Sequence, residues 1–124
     1  GSRCIDRNTR SVMARGVHQP LENEEFDFIL AMADGPVLAY FCGTWPKAVK
    51  ACKEMDVVVR EVAQEYAGRL TAVKADMTRC TGAVQRYGVT MAPSLVLIER
   101  GGATVTAAGP MDRAAVKDFL DANL

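Results

Sequence analysis

The chain has 124 residues, 49% of them apolar, a length that suits one compact domain and leaves little room for a second. Fifteen acidic and fifteen basic residues give a formal net charge of zero, which does not indicate a nucleic-acid partner. Apolar runs such as 29–33 are far shorter than the ~20 residues that cross a bilayer, so we expect a soluble protein without a membrane partner.

The first sixteen residues are predicted to form a flexible arm. Gly1-Ser2 resembles an expression scar, and 3–16 is polar, with four arginines and no regular apolar period. The arm lacks the continuous apolar core of a secretory signal, although such a signal could have been removed. We therefore predict a single domain over 17–124 and a cytoplasmic location, with export left open.

An opening helix and a buried strand come first in the predicted domain. Asn23 is suited to cap the helix, because Glu24 and Glu25 follow it in the first turn, where the helix dipole favours acidic side chains. The Asp-Gly-Pro sequence at 34–36 ends this helix. The nearly continuous apolar run 37–41 is typical of a strand buried on both faces, and it predicts a central strand.

A long helix follows, with Pro46 suited to its first turn. Apolar residues recur at alternating steps of four and three and mark one buried face: Ala48, Cys52, Met55, Val59, Val62 and Tyr66. Polar residues fill the opposite side, and Gly68 is suited to close the helix. We expect a length of about twenty residues.

The remaining elements are a strand over 70–75, a short helix over 80–87, a hairpin of strands over 94–99 and 103–108, and a last helix over 112–123. A strand, a helix and a strand in succession predict a parallel pair. The fold class is therefore α/β, with a central mixed sheet of four to five strands flanked by about four helices.

The four cysteines, Cys4, Cys42, Cys52 and Cys80, are too few and too widely spaced for a disulfide-stapled scaffold. No two of them stand at Cys-x2-Cys spacing and the chain has one histidine, so no metal site is predicted, and no cofactor is expected. Cys4 is interpreted as an exposed thiol on the arm.

From residue 33 onward the chain resembles thioredoxin, with matching residues in the same order and at similar spacing. They are Ala33-Asp34-Gly35, the strand to Phe41, Trp45, Glu65-Tyr66, Gly68, Leu70-Thr71, Lys74, Tyr87-Gly88-Val89, Ala92-Pro93-Ser94, Gly109 and the segment from Phe119 to Leu124. The resemblance implies the thioredoxin fold and, as partner, a protein or peptide that carries a thiol or a disulfide.

The same resemblance implies a substrate groove. Pro93 matches the proline that thioredoxins hold in the cis form, and the backbone of Ala92 would pair with an extended substrate strand. Met91, Ala92 and Pro93 would form one wall, and Gly109 would lie beneath it, where the lack of a side chain lets a peptide approach. Trp45 matches the tryptophan beside the redox site.

The departures from the family concern the redox motif itself, because no Cys-x-x-Cys pair is present. An ungapped alignment from Trp45 puts Val49 at the position of the family's second cysteine. In that alignment this chain lacks both cysteines of the motif. An alignment counted back from Glu65-Tyr66 instead places Cys52 and Lys53 on the second cysteine of the family's motif and the lysine that follows it. This alignment requires three extra residues near the helix start. We prefer this second register, in which Val49 stands at the position of the nucleophilic cysteine.

Proton handling also departs from the family pattern. Thioredoxins carry a buried Asp beneath the second cysteine, and Tyr40 occupies that position here. A phenol with a reference pKa near ~10 is a poor base at neutral pH, so activation of Cys52 must be weaker or different. Lys74 matches the lysine that neighbours this Asp, and it either contacts the Tyr40 hydroxyl or lies at the edge of the core.

Cys42 is a candidate partner for Cys52. Side chains alternate along a strand, so Cys42 faces the long helix if Tyr40 does. Cys52 lies six residues after Pro46, a rise of roughly 9 Å, which could return it over the end of the strand. A disulfide requires Cα atoms within about 7 Å, a borderline distance here. Cys80 is a rival partner whose helix-start position would lower its pKa if exposed; otherwise each thiol is a small buried residue.

Three functions remain open. The first, which we adopt, is an atypical thioredoxin-like protein in thiol-disulfide exchange and cell redox homeostasis, with Cys52 at the resolving position and Cys42 as its partner; whether it is an enzyme is left open. The second is a redox-inactive binding module that keeps the peptide groove. The third is a single-thiol protein that uses Cys52 or Cys80 for mixed disulfides.

Overall fold

A computed structural model of the chain describes residues 17–124; the predicted arm over 1–16, and Cys4 with it, lies outside the described residues. In chain order the elements are β1 (Val17–His18), α1 (Asn23–Met32), β2 (Val37–Cys42), α2 (Pro46–Glu65), β3 (Thr71–Asp76), α3 (Thr81–Tyr87), β4 (Ser94–Ile98), β5 (Thr104–Ala108) and α4 (Arg113–Asn123). The short strand β1 is the one element of this part that the sequence did not predict.

The five strands form one mixed sheet in the order β1-β3-β2-β4-β5. β2 lies in the middle, parallel to β3 and antiparallel to β4, and all six of its residues are buried. The predicted central strand and the predicted parallel pair are therefore confirmed. β5 is an edge strand, and four of its five residues are exposed.

Helices cover both faces of the sheet. On one face, α2 and α4 enclose an apolar cluster that contains Leu38, Tyr40 and Cys42 of β2. On the other face, α1 and α3 pack against the alternate residues of the same strand, among them Phe41. This alternation follows from strand geometry, since successive side chains point to opposite faces. It fixes Tyr40 and Cys42 on the same side as the long helix.

Two helix ends differ from the sequence predictions. Asn23 is not the cap of α1: Glu22 precedes the helix without a side-chain cap hydrogen bond, and Asn23 Oδ1 accepts the Gly82 N–H at 2.9 Å. The acceptor thus satisfies an unpaired donor at the start of α3, where the helix cannot supply a partner. Gly68, with φ 86°, lies in the turn beyond α2, which ends at Glu65.

Among residues 17–124, no helix has both the length and the apolar character that a bilayer-crossing segment requires.

Candidate functional site

The candidate site lies where β2 ends and α2 begins. Trp45 has extended backbone and immediately precedes the helix, and Pro46 is the first helical residue. The first turn contains no acidic side chain, and Val49 closes it by donating its N–H to the Trp45 carbonyl at 3.0 Å. Cys52 is the seventh residue of α2, so it lies in the second turn and not at the helix start.

Cys42 and Cys52 lie close together under the start of α2. Both belong to the same apolar cluster, and their residues are only 6% and 5% exposed. The Gly43 N–H donates to Cys52 Sγ at 3.4 Å. Because the Gly43 nitrogen is bonded to the Cys42 carbonyl carbon, Cys52 Sγ must lie within about 6 Å of Cys42 Cα. Both thiols are free in the structure, so the predicted disulfide between them stays a prediction.

The Cys42 thiol is held in a poorly solvated position. Its Sγ–H donates to the Ala75 carbonyl of the neighbouring strand, at 3.6 Å. Burial raises the pKa of Cys42 to about 11, although the nearby Lys74 ammonium acts in the opposite direction. Cys42 is therefore protonated at neutral pH and needs a proton acceptor before it can react as a thiolate.

Cys80 lies apart from this pair. It precedes α3 and packs in the apolar cluster on the other face of the sheet, with its Sγ–H directed to the Pro20 carbonyl at 3.8 Å. The structure does not bring it to Cys42. Burial raises the pKa of Cys80, so its place at a helix start does not make it a reactive thiol here.

Tyr40 contacts Cys52 directly. Its hydroxyl donates to the Cys52 carbonyl at 2.8 Å. Burial, followed by the Asp56 carboxylate beside the hydroxyl, raises the pKa of Tyr40 far above its usual value. Tyr40 is thus a neutral donor, and it cannot serve as a base.

Asp56 is a residue of this site that was not predicted from the sequence. Lys74 donates to Asp56 Oδ2 at 2.9 Å, so its partner is this carboxylate and not the Tyr40 hydroxyl. Asp56 follows Cys52 by four residues, and side chains four apart lie on the same side of a helix. That spacing could have indicated from the sequence that Asp56 lies on the same side of the helix as Cys52. Only the fold shows that this side faces Tyr40 and Lys74.

The Trp45 ring lies close against Gly43. A Cβ atom added to Gly43 would stand only 2.3 Å from the Trp45 ring, so the indole occupies the space that any side chain at 43 would take. Trp45 itself remains 38% exposed. The ring therefore covers the peptide that contacts Cys52 Sγ while it presents apolar surface to the solvent.

The predicted groove residues come together beside the same cluster. The Ala92–Pro93 peptide is cis, as predicted, and Gly109 donates its N–H to the Pro93 carbonyl at 2.9 Å. Gly109 has φ 94°, and a Cβ atom there would lie 3.9 Å from Met91 Cε. Met91 is 43% exposed, and Ala92 packs against the cluster that holds the two cysteines.

The backbone of Ala92 is available for pairing. Within residues 17–124, neither its N–H nor its C=O has a backbone hydrogen-bond partner. An extended peptide could therefore add to this segment as a short strand. In the same part of the chain, no group of three or more His, Cys, Asp or Glu side chains is arranged to hold a metal ion.

Comparisons with known proteins agree with this architecture. The family model described as Thioredoxin matches residues 17–122. A thioredoxin of Pseudomonas aeruginosa is 32% identical over 99 residues, which are 80% of this chain and 89% of that protein. Thioredoxin C-2 of Corynebacterium nephridii is 29% identical over 102 residues, 82% of this chain and 92% of that protein. The crystal structure of a Malassezia sympodialis thioredoxin superposes with a TM-score of 0.71 at 20% identity, covering 86% of this chain and 90% of that one.

Proposed function

This chain belongs to the thioredoxin family, and from that premise we propose that it carries out thiol-disulfide exchange with protein substrates through Cys52 and Cys42. The observation that carries the proposal is the contact between the Gly43 N–H and Cys52 Sγ, because it holds one sulfur beside the residue that bears the other. We retain the cytoplasm as the proposed location.

The exchange proceeds in two steps. The Cys52 thiolate attacks one sulfur of a substrate disulfide, and the other substrate sulfur leaves as a thiolate that takes up a proton. The Cys42 sulfur then attacks Cys52 Sγ, which breaks the mixed disulfide and releases the second substrate thiol. Two electrons and two protons pass to the substrate, and a disulfide between Cys42 and Cys52 remains. Although Cys52 stands at the family's resolving position, Cys42 takes the second, resolving step in this proposal, because its pKa, raised to about 11, disfavours the first.

The substrate segment lies along Met91 and Ala92 in this proposal. Its backbone pairs with the unpartnered N–H and C=O of Ala92, and an apolar side chain contacts the exposed surface of Met91 or Trp45. Because Cys52 is only 5% exposed, the start of α2 has to open before a substrate sulfur reaches it. Exchange should therefore be slow compared with that of an exposed cysteine.

A second function, peptide binding without exchange, is favoured by the burial of the thiols. Cys42 and Cys52 are nearly inaccessible, while the groove residues Trp45 and Met91 are exposed. A module of this kind would bind the same extended peptides and leave their disulfides intact.

Insulin reduction with dithiothreitol separates these functions. Wild type is compared with Cys42→Ser and Cys52→Ser, and Cys80→Ser serves as the control because it removes a buried thiol from the other face of the sheet. We expect the first two variants to lose activity and the control to keep it. Loss in Cys52→Ser alone would indicate a single-thiol protein, and an inactive wild type that still binds peptides would establish the binding module.

A thiol count by mass spectrometry tests whether Cys42 and Cys52 form a disulfide. After mild oxidation, alkylation should leave Cys42 and Cys52 unlabelled in wild type and should label Cys80 after unfolding. If Cys42 and Cys52 are both fully alkylated after the oxidation, no disulfide forms between them and the two-cysteine proposal fails.

A further inference from the structure

The outer edge of β5 has no partner strand among residues 17–124, because β5 is the last strand of the sheet. Four of its five residues are exposed, so no helix of the described part covers it. The segment 103–108 contains no charged residue and no proline. Charges, prolines and covering elements are the usual means by which proteins keep an edge strand from pairing with another chain. This edge is therefore open to a further strand.

The register of β4 and β5 shows which backbone groups of the edge point outward. Gly109 donates its N–H to the Pro93 carbonyl at 2.9 Å. In an antiparallel ladder the bonded residues alternate along each strand, so Val105 and Ala107 also bond to β4. The residues between them direct their N–H and C=O groups away from the sheet: Thr104, Thr106 and Ala108.

These outward groups are complementary to a second copy of themselves. When a second β5 runs antiparallel with Thr106 on the two-fold axis, Thr106 lies opposite Thr106 and Thr104 lies opposite Ala108. Each of these pairs can exchange two N–H···O bonds, so every outward group of the strand finds a partner. A register shifted by one residue would set outward groups against inward ones, and a shift by two would leave fewer bonded pairs within the strand.

The side chains permit the same pairing. Ala107 packs against the apolar cluster under α2 and α4, and Val105 lies on that face of the sheet as well. In the paired strands Val105 of one copy lies opposite Ala107 of the other, so the valine, 37% exposed, becomes covered. On the other face the two Thr106 side chains lie opposite each other, which is a favourable cross-strand pair.

Charges beyond the ends of β5 favour the antiparallel orientation. Arg100 lies six residues before Thr106 and Asp112 lies six residues after it, and both are exposed. Glu99 and Arg113, one position further out on each side, are opposite in sign as well. An antiparallel pair brings the hairpin of each copy toward the far end of the other strand, so unlike charges approach. A parallel pair would bring like charges together.

We propose that two copies of this chain associate through antiparallel pairing of β5 about Thr106, which makes one continuous sheet across both copies. The contact is smaller than the about 1,200 Å² typical of stable complexes, so we expect a weak dimer with a Kd on the order of 100 µM. The hairpin of each copy then borders Gly109 of the other, beside the groove residue Pro93.

Sedimentation velocity of the full chain tests the association, with a reductant present to exclude disulfide-linked species. Between about 10 µM and 1 mM, tenfold on either side of the expected Kd, the average mass should rise from 13.4 kDa toward twice that value. Thr106→Lys sets like charges directly opposite each other on the axis and should raise the Kd at least tenfold.

A mixing experiment tests the position of the axis. Thr106→Glu alone should weaken the dimer as Thr106→Lys does, whereas an equimolar mixture of the two variants should dimerise at least as well as wild type, because unlike charges now meet. Thr104→Lys is the matched control: it adds the same charge to the same strand and face, but it lies opposite Ala108 of the second copy. We expect it to change the Kd by less than about threefold.

The proposal is overturned if the chain stays monomeric up to about 1 mM, if Thr106→Lys dimerises like wild type, or if the mixture does not recover the dimer. Equal weakening by Thr104→Lys and Thr106→Lys would likewise contradict the register. If the charged variants at 106 do not fold, Thr106→Pro decides. Its missing N–H points outward, so the sheet itself loses no hydrogen bond, and a dimer as strong as that of wild type rejects the proposal.

Discussion

Gly43 follows Cys42 in the chain and contacts both the Trp45 ring and the Cys52 sulfur. This crowding explains why position 43 holds no side chain. Its N–H contacts Cys52 Sγ and its α-carbon lies against Trp45. Neither contact depends on an unusual backbone angle at this glycine, since its φ lies outside the positive region. The constraint is the close approach of the indole.

Gly43→Ala should therefore displace the Trp45 ring. The added methyl group would stand 2.3 Å from the ring, and because the indole is partly exposed, rotating it outward costs less than moving the sheet. We expect the free energy of unfolding in urea to fall by about 1 kcal/mol, at the low end for overpacking. The control is the same substitution in a Trp45→Ala background, where the methyl group meets no ring and the cost should vanish. An equal loss in both backgrounds would contradict this account.

At the scale of elements, α2 determines where the cysteines lie. The helix begins at Pro46, and its second turn carries Cys52 past the end of β2 to the peptide that follows Cys42. In this register Val49 occupies the first turn, three residues before Cys52. The Cα atoms of residues three apart in a helix are about 5 Å apart, a distance that a disulfide can span.

Val49→Cys should consequently create a working redox pair within α2. We expect insulin reduction at least tenfold above wild type, because the new thiol lies in the first turn, where the helix dipole stabilises a thiolate. Lys50→Cys is the matched control: it adds an exposed thiol one residue further along, on a side of the helix that does not face Cys52. Similar gains from both variants, or none from Val49→Cys, would contradict the register.

At the scale of the whole molecule, the thiols and phenols with raised pKa values all favour the folded state in their neutral forms. Burial raises the pKa of Cys42, Cys80 and Tyr40, and a hydrogen bond to Asp121 raises the pKa of Tyr66 to about 12. In the unfolded chain these groups lose their protons at lower pH. The folded protein must therefore lose stability as the pH rises, beginning with the thiols.

The free energy of unfolding should be nearly constant up to about pH 9 and should fall between pH 9 and 11, the interval between the ordinary and the raised pKa of Cys42. Cys42 alone accounts for roughly 2 kcal/mol of this loss. Urea unfolding under reducing conditions at several pH values measures it. Cys42→Ala provides the comparison and should show a shallower decline, whereas identical slopes would show that Cys42 does not contribute.

The fold could be predicted from the sequence because its signals are local. The apolar run at 37–41 identified the central strand, and the row from Ala48 to Tyr66 identified the buried face of a helix that the structure places at Pro46–Glu65. β1 was not predictable, since two residues carry no periodic pattern and this strand exists only through its pairing with β3.

The candidate site could be predicted only in part. Strand alternation correctly placed Cys42 on the side of the long helix, and the family resemblance identified the cis peptide before Pro93. The ion pair between Lys74 and Asp56 and the position of Cys80 behind the sheet depend on how separate elements pack. No spacing along the chain encodes such contacts.

The single tryptophan of the chain has one more consequence. Because Trp45 is partly covered where it contacts Gly43, the tryptophan fluorescence of the whole protein arises from an indole at the mouth of the candidate site. Any event that uncovers Cys52, whether a bound peptide or an opened first turn of α2, must also change the polarity around that ring. The fluorescence of Trp45 therefore reports on the candidate site without an added label.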